Sequence, residues 1–183
     1  EKPIDLDINK VNACAERLKN NSVPIQLGFN RRFDPGHLAA KNSLVNGEIG
    51  DLHQCIITSR DPGLPSWDYL KVSGGQFRDM TIHDFDLARF MLGEEPIRLF
   101  AISNALVEPK IKTELNDSDT LMVIMETASG KQCNIINSRS ASYGYDQRVE
   151  LFGSKGMVIS DNRKAHEVKK YSLEFAEKKE PYL

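Results

Sequence analysis

Several things are scarce or missing in this 183-residue chain, and each absence removes a class of protein. No apolar run approaches the roughly 20 residues that a membrane span needs, and nothing near the first residue resembles a secretory leader. There is no basic run and no interleaving of aromatic with basic residues. With 24 Lys and Arg against 26 Asp and Glu, the formal net charge is −2, which argues against nucleic acid as a partner. Cysteine is sparse: Cys14, Cys55 and Cys133 are odd in number, widely spaced and set in apolar patterns. They read as reduced core residues of an intracellular, cytoplasmic protein and not as a disulfide framework. No His or Cys spacing suits zinc, so no metal site is expected. Internal repeats and low-complexity segments are absent as well.

What is present is ordinary globular material, enough for one domain or most of two small ones. The chain is organised around Ser73 to Gly93. Gly74-Gly75 gives a sharp entry and Gly93, followed by Glu95-Pro96, an exit, so the spacing predicts a helix of about four turns between them. Met80, Leu87 and Met91 form one apolar stripe and Ile82, Phe85, Ala88 and Leu92 another, so most of the circumference is apolar and the helix should be buried. Asp79, His83 and Asp86 fall on one narrow face at helical spacing. Two readings fit them. One is a satisfied core histidine with capping or salt-bridging aspartates. The other is general acid–base chemistry, in which a carboxylate fixes the imidazole tautomer and raises its basicity.

Taken in order, Ile8, Val11, Ala15 and Leu18 predict a helix, and Val23 to Phe29 a short buried strand. Such a pair has the form of the last unit of a parallel α/β domain. Asn30-Arg31-Arg32 follows at the strand's carboxyl end, where open α/β sheets place ligands. A helix over His37 to Asn46 and a strand over Asp51 to Arg60 come next, then a rigid loop through Asp61-Pro62-Gly63-Leu64-Pro65, Trp67, Tyr69 and Lys71. Beyond the central helix the period becomes two. Strands are predicted at Ile97 to Val107, Ser118 to Ala128, Gln132 to Ser140, Gln147 to Phe152, Met157 to Ser160 and Glu167 to Phe175. The fold class is therefore α+β: a large, mostly antiparallel sheet with helices on one face. Leu121, Val123 and Met125 alternate with Met122 and Ile124, so both faces are apolar and the uncovered one suits a subunit contact. Tyr143 and Tyr145 flank Gly144, which suits either hydroxyls over a cleft or strand-end packing.

Glu1-Lys2-Pro3, Gly74-Gly75 and Asp79-x3-His83-x2-Asp86, in that order, resemble the glucose-fructose oxidoreductase / inositol dehydrogenase / MocA family, and Phe77 to Asp86 looks most like its inositol 2-dehydrogenase branch. Ser59-Arg60-Asp61-Pro62, Tyr143 to Arg148 and Phe152 to Gly156 point the same way. The resemblance implies a Rossmann domain followed by an α+β substrate domain whose open sheet face builds homodimers or homotetramers. Residues 1–30 would be the tail of the first and residues 31–183 the second. The chain departs from the family pattern in having no Gly-x-Gly-x-x-Gly after a strand, and both of its ends read as cuts in something longer. The implied chemistry is oxidation of a polyol or sugar hydroxyl with NAD or NADP, bound mainly by the part not seen here. His83 would be the general base, Asp79 would orient it, and Lys2 would steady the reacting oxygen. Arg31, Asp61, Thr81, Tyr143 and Tyr145 would bind substrate hydroxyls, and Lys2, Pro3 and Asn30 would lie at the cofactor. Two other readings stay open: a non-catalytic fragment acting only through its sheet, and another sugar dehydrogenase of the same family.

Overall fold

The computed structural model describes residues 1–20 and 24–162, together with the backbone of 170–171 and 176–177. Its centre is a six-stranded sheet in the order β2-β3-β4-β1-β5-β6. The strands are β1 (Leu52–Arg60), β2 (Pro96–Asn104), β3 (Thr120–Thr127), β4 (Gln132–Ser138), β5 (Asp146–Gly153) and β6 (Gly156–Ser160). Every neighbouring pair is antiparallel except β1 and β4, which run parallel in the middle. The fold class is thus the α+β arrangement read from the sequence. Lys170–Tyr171 and Ala176–Glu177 form a separate two-residue ladder. The rest of the strand expected over Glu167 to Phe175 lies outside the described residues.

Helices α1 (Ile8–Leu18), α2 (Pro35–Val45) and α4 (Ile82–Leu92) correspond to predicted ones. Asp34 caps α2 by accepting from the N–H groups of Gly36 and His37, with Pro35 in the first turn. Gly93, at φ 68°, ends α4 in the left-handed conformation that glycine adopts without steric cost. The alternation along the sheet sends Cys55, Ile57, Val123, Ile135, Val149 and Leu151 inward, where they meet Leu87, Ala88 and Met91 of α4. Phe100, Ile102, Met122, Ile124, Phe152, Met157 and Ile159 stand exposed on the opposite face.

Three local features differ from the sequence reading. Residues 24–29 belong to no ladder, since a strand exists only where a neighbouring strand takes its hydrogen bonds and none of the described residues pairs with them in that way. Val23 itself lies outside the described residues. The loop read through Trp67 to Lys71 contains a short helix, α3 (Trp67–Val72), whose leucine Leu70 joins Ala105 and Ile111 in a satellite cluster; α5 (Lys110–Leu115) supplies Ile111 and was also not foreseen. Finally, the first turn of the central helix, Phe77–Thr81, is a π turn. It takes more residues per revolution than an α turn, so Asp79 is displaced around the axis from His83.

Candidate active site

The carboxyl ends of β1 and β4, the start of β5 and the entry to α4 meet at one end of the sheet. There Asp79 is held by three side-chain donors. Lys2 Nζ donates to its Oδ1 at 3.1 Å and also to its main-chain oxygen. Tyr69 donates its hydroxyl to the same Oδ1 at 2.6 Å, and Arg139 Nη1 donates to Oδ2 at 3.0 Å. Burial alone would push the Asp79 carboxyl up, but the bonds from Tyr69, Arg139 and Lys2 outweigh it and hold the group below the usual carboxylate range. The hydrogen bond to Asp79, together with burial, pushes the Tyr69 phenol up to about 12.

His83 occupies a neighbouring cleft of about 420 Å³, whose walls include Asn30, Arg31, His37, Tyr145 and Gln147. Phe29 meets its ring edge-on at a centroid distance of 6.1 Å. Imidazole Nδ1 is buried without a partner, which leaves Nε2 as the nitrogen available to a ligand. Burial, then the positive charges of Arg31 and Lys2, bring the imidazole down to about 4, so the ring is neutral at neutral pH. Arg31 is fixed in the cleft wall by Ser59 Oγ at 2.7 Å and by Asp84. A second, larger cleft of about 830 Å³ opens on the other side of Asp79, lined by Lys2, Pro3, Leu6 and Tyr69 among others.

The single face expected of Asp79, His83 and Asp86 is therefore divided. Asp79 faces Lys2, His83 faces the cleft, and Asp86 is gripped by Arg32 through two bonds of 2.7 and 2.5 Å. No hydrogen bond joins Asp79 to His83; the carboxylate orients Lys2 instead, because the π turn rotates it that way. Thr81, expected to bind substrate, is fully buried and donates its hydroxyl to Gln76 O at 3.3 Å. Of the two tyrosines, Tyr145 lines the His83 cleft, whereas Tyr143 accepts from Arg60 and donates to Asp146, both at 2.6 Å. Asp61 sits at the end of β1; burial pushes its carboxyl up, while Arg139 and Arg31 oppose that. Asn30 is in the cleft wall beside Arg31. Among the described residues no group of three His, Cys, Asp or Glu side chains is placed to hold a metal.

Sequence reasoning missed Tyr69, Arg139 and Asp84. Asp84 has no exposed surface and ties Arg31, Ser59 and Asn137 together. No periodicity marks any of them, because each acts through a partner on another element, ten positions away for Tyr69 and more than fifty for Asp84 and Arg139. An Asp between His83 and Phe85 on a mostly apolar helix was the one available hint.

Fold and site together define an α+β domain with ionisable side chains gathered at one end of its sheet. The family described as GFO/IDH/MocA C-terminal domain matches residues 37–159, and this chain belongs to that family. It is 51% identical over 164 residues to an inositol 2-dehydrogenase of Rhizobium meliloti (strain 1021), covering 90% of this chain and 49% of that protein. A solved myo-inositol dehydrogenase from Corynebacterium glutamicum ATCC 13032 superposes with a TM-score of 0.92 at 46% identity, covering 98% of this chain and 54% of that one. The scyllo-inositol dehydrogenase of Lactobacillus casei, solved with NAD(H) and scyllo-inositol, superposes at 0.83 and 28% identity, with 98% and 54% covered. The chain spans about half the length of the relatives it matches. No helix among the described residues is long and apolar enough to cross a membrane.

Proposed function

We propose that this chain is the substrate-side portion of an NAD-dependent oxidoreductase that oxidises a ring hydroxyl of myo-inositol, or of a closely related cyclic polyol, to the ketone. The observation that carries this reading is the meeting of Lys2 and Asp79, 77 positions apart, beside the cleft that holds His83. The family relationship to inositol dehydrogenases supports it.

In this reading the polyol lies in the His83 cleft, where Arg31 and Tyr145, with Asp61 near by, offer charged and hydroxyl partners to several ring hydroxyls at once. His83 Nε2 accepts the proton of the reacting hydroxyl. Its imidazole is in the accepting form throughout the neutral range, because burial beside Arg31 and Lys2 disfavours the charged ring. Lys2, held by Asp79, donates a hydrogen bond toward the oxygen that becomes the carbonyl, and its charge stabilises the alkoxide character developing there. Asp79 keeps that ammonium in place and remains ionised.

The residues present fit only one end of a dinucleotide. The open cleft beside Lys2, Pro3 and Tyr69 has the size and the mixed lining that a nicotinamide ring and its ribose need, and the Lys2 charge is felt at His83. When bound, the dinucleotide supplies the hydride acceptor. A glycine-rich turn for its pyrophosphate is not found in this sequence, so residues 1–30 are read as the closing piece of a dinucleotide-binding domain and residues 31–183 as the substrate domain. The exposed apolar sheet face is read as the surface that pairs with a second copy, giving a homodimer or homotetramer. Cys55 and Cys133 are buried as read from the sequence, whereas Cys14 is exposed and not a core residue; the three free thiols suit a reducing, cytoplasmic setting.

The test is made on the full-length protein that carries this sequence. Its intact mass is measured first, then NAD reduction with myo-inositol, and then the same assay on His83→Ala. A mass well above 20.6 kDa, with inositol-dependent NAD reduction abolished in His83→Ala, is the expected result. A full-length product of 20.6 kDa that reduces no NAD would leave a non-catalytic chain acting through its sheet.

A further inference from the structure

We propose that Arg139 is a positioning residue for the reaction just described, holding the Asp79 carboxylate in the orientation that presents Lys2 to the substrate. The proposal rests on the dehydrogenase reading and deepens it.

Arg139 follows β4 and is only 1% exposed. Its backbone stands on a rigid base: its N–H donates to Asp119 O at 2.7 Å, and the Asp119 carboxylate accepts from the N–H groups of Leu106, Val107 and Glu108. From there Nη1 reaches Asp79 Oδ2, while Nε and Nη2 are buried and have no hydrogen-bond partner. An arginine kept for stability alone would use its fork fully, and a well-packed apolar residue in its place is commonly as stable. A buried guanidinium that spends its one bond on a candidate catalytic carboxylate points to that carboxylate as its purpose.

The division of labour on Asp79 explains why this bond matters. Lys2 and Tyr69 share Oδ1, so neither of them fixes the carboxylate plane. The terminal torsion of an aspartate is broad, and a second anchor on Oδ2 is what settles it. Arg139 is the anchor, and it acts on Lys2 only through Asp79. The charged and titratable groups facing Asp79 are Lys2 from the N-terminal segment, Tyr69 from α3, Asp61 from the end of β1 and His83 from the next turn. Lys2 and Arg139 favour the ionised carboxylate, and Asp61 opposes it. Removing the guanidinium therefore raises the pH at which Asp79 takes up its proton.

The experiment uses the full-length protein and the variants Arg139→Met, Arg139→Lys, Asp79→Asn and the double variant Asp79→Asn/Arg139→Met. Lys2 is pulse-labelled with acetic anhydride and read by peptide mass spectrometry, and kcat and KM for myo-inositol are measured against pH at saturating NAD. We expect Lys2 in Arg139→Met to label several-fold faster than in the wild type. The double variant should label no faster than Asp79→Asn alone, since both changes break one chain of contacts. In the assay, kcat should fall about tenfold or more with KM nearly unchanged, and the acid limb should move to higher pH. Arg139→Lys keeps the charge without the fork and should recover the acid limb but only part of kcat.

Wild-type labelling of Lys2 in Arg139→Met, or a kcat loss that only follows the folded fraction, would overturn the proposal. If Arg139→Met does not fold, an Arg139→Lys variant with full kcat overturns it equally. The labelling needs no substrate, so the two readings fail separately. A wild type that labels as expected but reduces no NAD removes the dehydrogenase and leaves Arg139's hold on Lys2 standing.

Discussion

Arg31 and Asp84, 53 positions apart, form the ion pair behind the His83 cleft, and Asp84 has no exposed surface at all. Ser59 Oγ donates to Asp84 Oδ1 at 2.6 Å and Asn137 Nδ2 to Oδ2 at 2.8 Å, so the carboxylate joins β1, β4 and α4 to the arginine in the cleft wall. Asp84→Ala strips Arg31 of its counter-charge and takes a buried acceptor from Arg31, Ser59 and Asn137. The loss should be about 3–5 kcal/mol, as for other broken buried pairs. Urea denaturation of the full-length protein measures it, and a variant within 1 kcal/mol of wild type (roughly the value of a single neutral hydrogen bond) would deny the pair this role.

The pH dependence of stability follows from His83. In the folded chain its imidazole resists protonation until about pH 4, against an ordinary value of 6.5. Between those limits the unfolded chain binds the extra proton, so stability falls as the pH drops through that window and is fully restored above it. His37, also lowered by burial, contributes in the same direction. Melting temperatures recorded from pH 7 down to 4 should therefore decline less steeply in His83→Gln than in the wild type. Parallel curves would mean that the ring is as free to protonate folded as unfolded.

How much of this was legible in the sequence depends on the range of each interaction. Alternation of apolar residues gave β1 and β3 to β6 nearly to the residue, because the pleat decides the pattern locally. The prediction for α4 was right in place and wrong at its first turn. Helical spacing assumes 3.6 residues per turn, and Phe77–Thr81 does not obey it. That one local departure aimed Asp79 at Lys2 and broke the expected alignment with His83. Asp86, one of the two aspartates that the wheel favoured, is held by Arg32, while Asp84, which the wheel passed over, supports the cleft. Arg139 and Tyr69 were invisible for a simpler reason: their meaning lies in one contact with Asp79, made from other elements of the fold.

The entry to the π turn should be intolerant of side chains. Gly75 has φ +88°, and a Cβ there would lie 2.9 Å from Asp117 Oδ1, the atom that accepts from Gln76 N at 2.9 Å. Gly75→Ala combines left-handed strain of about 1–2 kcal/mol with displacement of that cap. A fall in unfolding free energy of at least that size is expected. The nearby Gly63, with open space where its Cβ would go, is the control, and Gly63→Ala should be close to neutral.

On the uncovered sheet face Phe100 pairs with Ile124 and Ile102 with Met122 across β2 and β3, all four exposed. If a second copy covers them, Ile124→Lys places a charge in the middle of the contact. Light scattering after size exclusion should then show a smaller species, with the circular dichroism of the chain unchanged. An assembly of unaltered mass would locate the contact elsewhere.

The two tyrosines around Gly144 should separate cleanly under the same substitution. The Tyr143 hydroxyl belongs to the cluster on Asp146, which also receives Arg60 at 2.9 Å, Arg148 at 2.7 Å and Asn162 at 2.8 Å. Burial works against ionised Asp146, and those donors, Arg148 and Tyr143 foremost, pull its carboxyl far below the usual range. Tyr143→Phe removes one donor of several, so it should cost about 0.5–1.5 kcal/mol of stability and leave KM for inositol unchanged. The Tyr145 hydroxyl is not part of that cluster; the residue lines the cleft with His83, and burial pushes its phenol up while Arg31, by charge and hydrogen bond, opposes that. Tyr145→Phe should leave the melting temperature within a degree or two, as a change of a few tenths of a kcal/mol would, and raise KM for the polyol about tenfold, the effect of one lost hydrogen bond to a substrate hydroxyl. Measuring both variants together matters, because a reversed pattern would move the substrate from the His83 cleft to the Arg60 side of the loop.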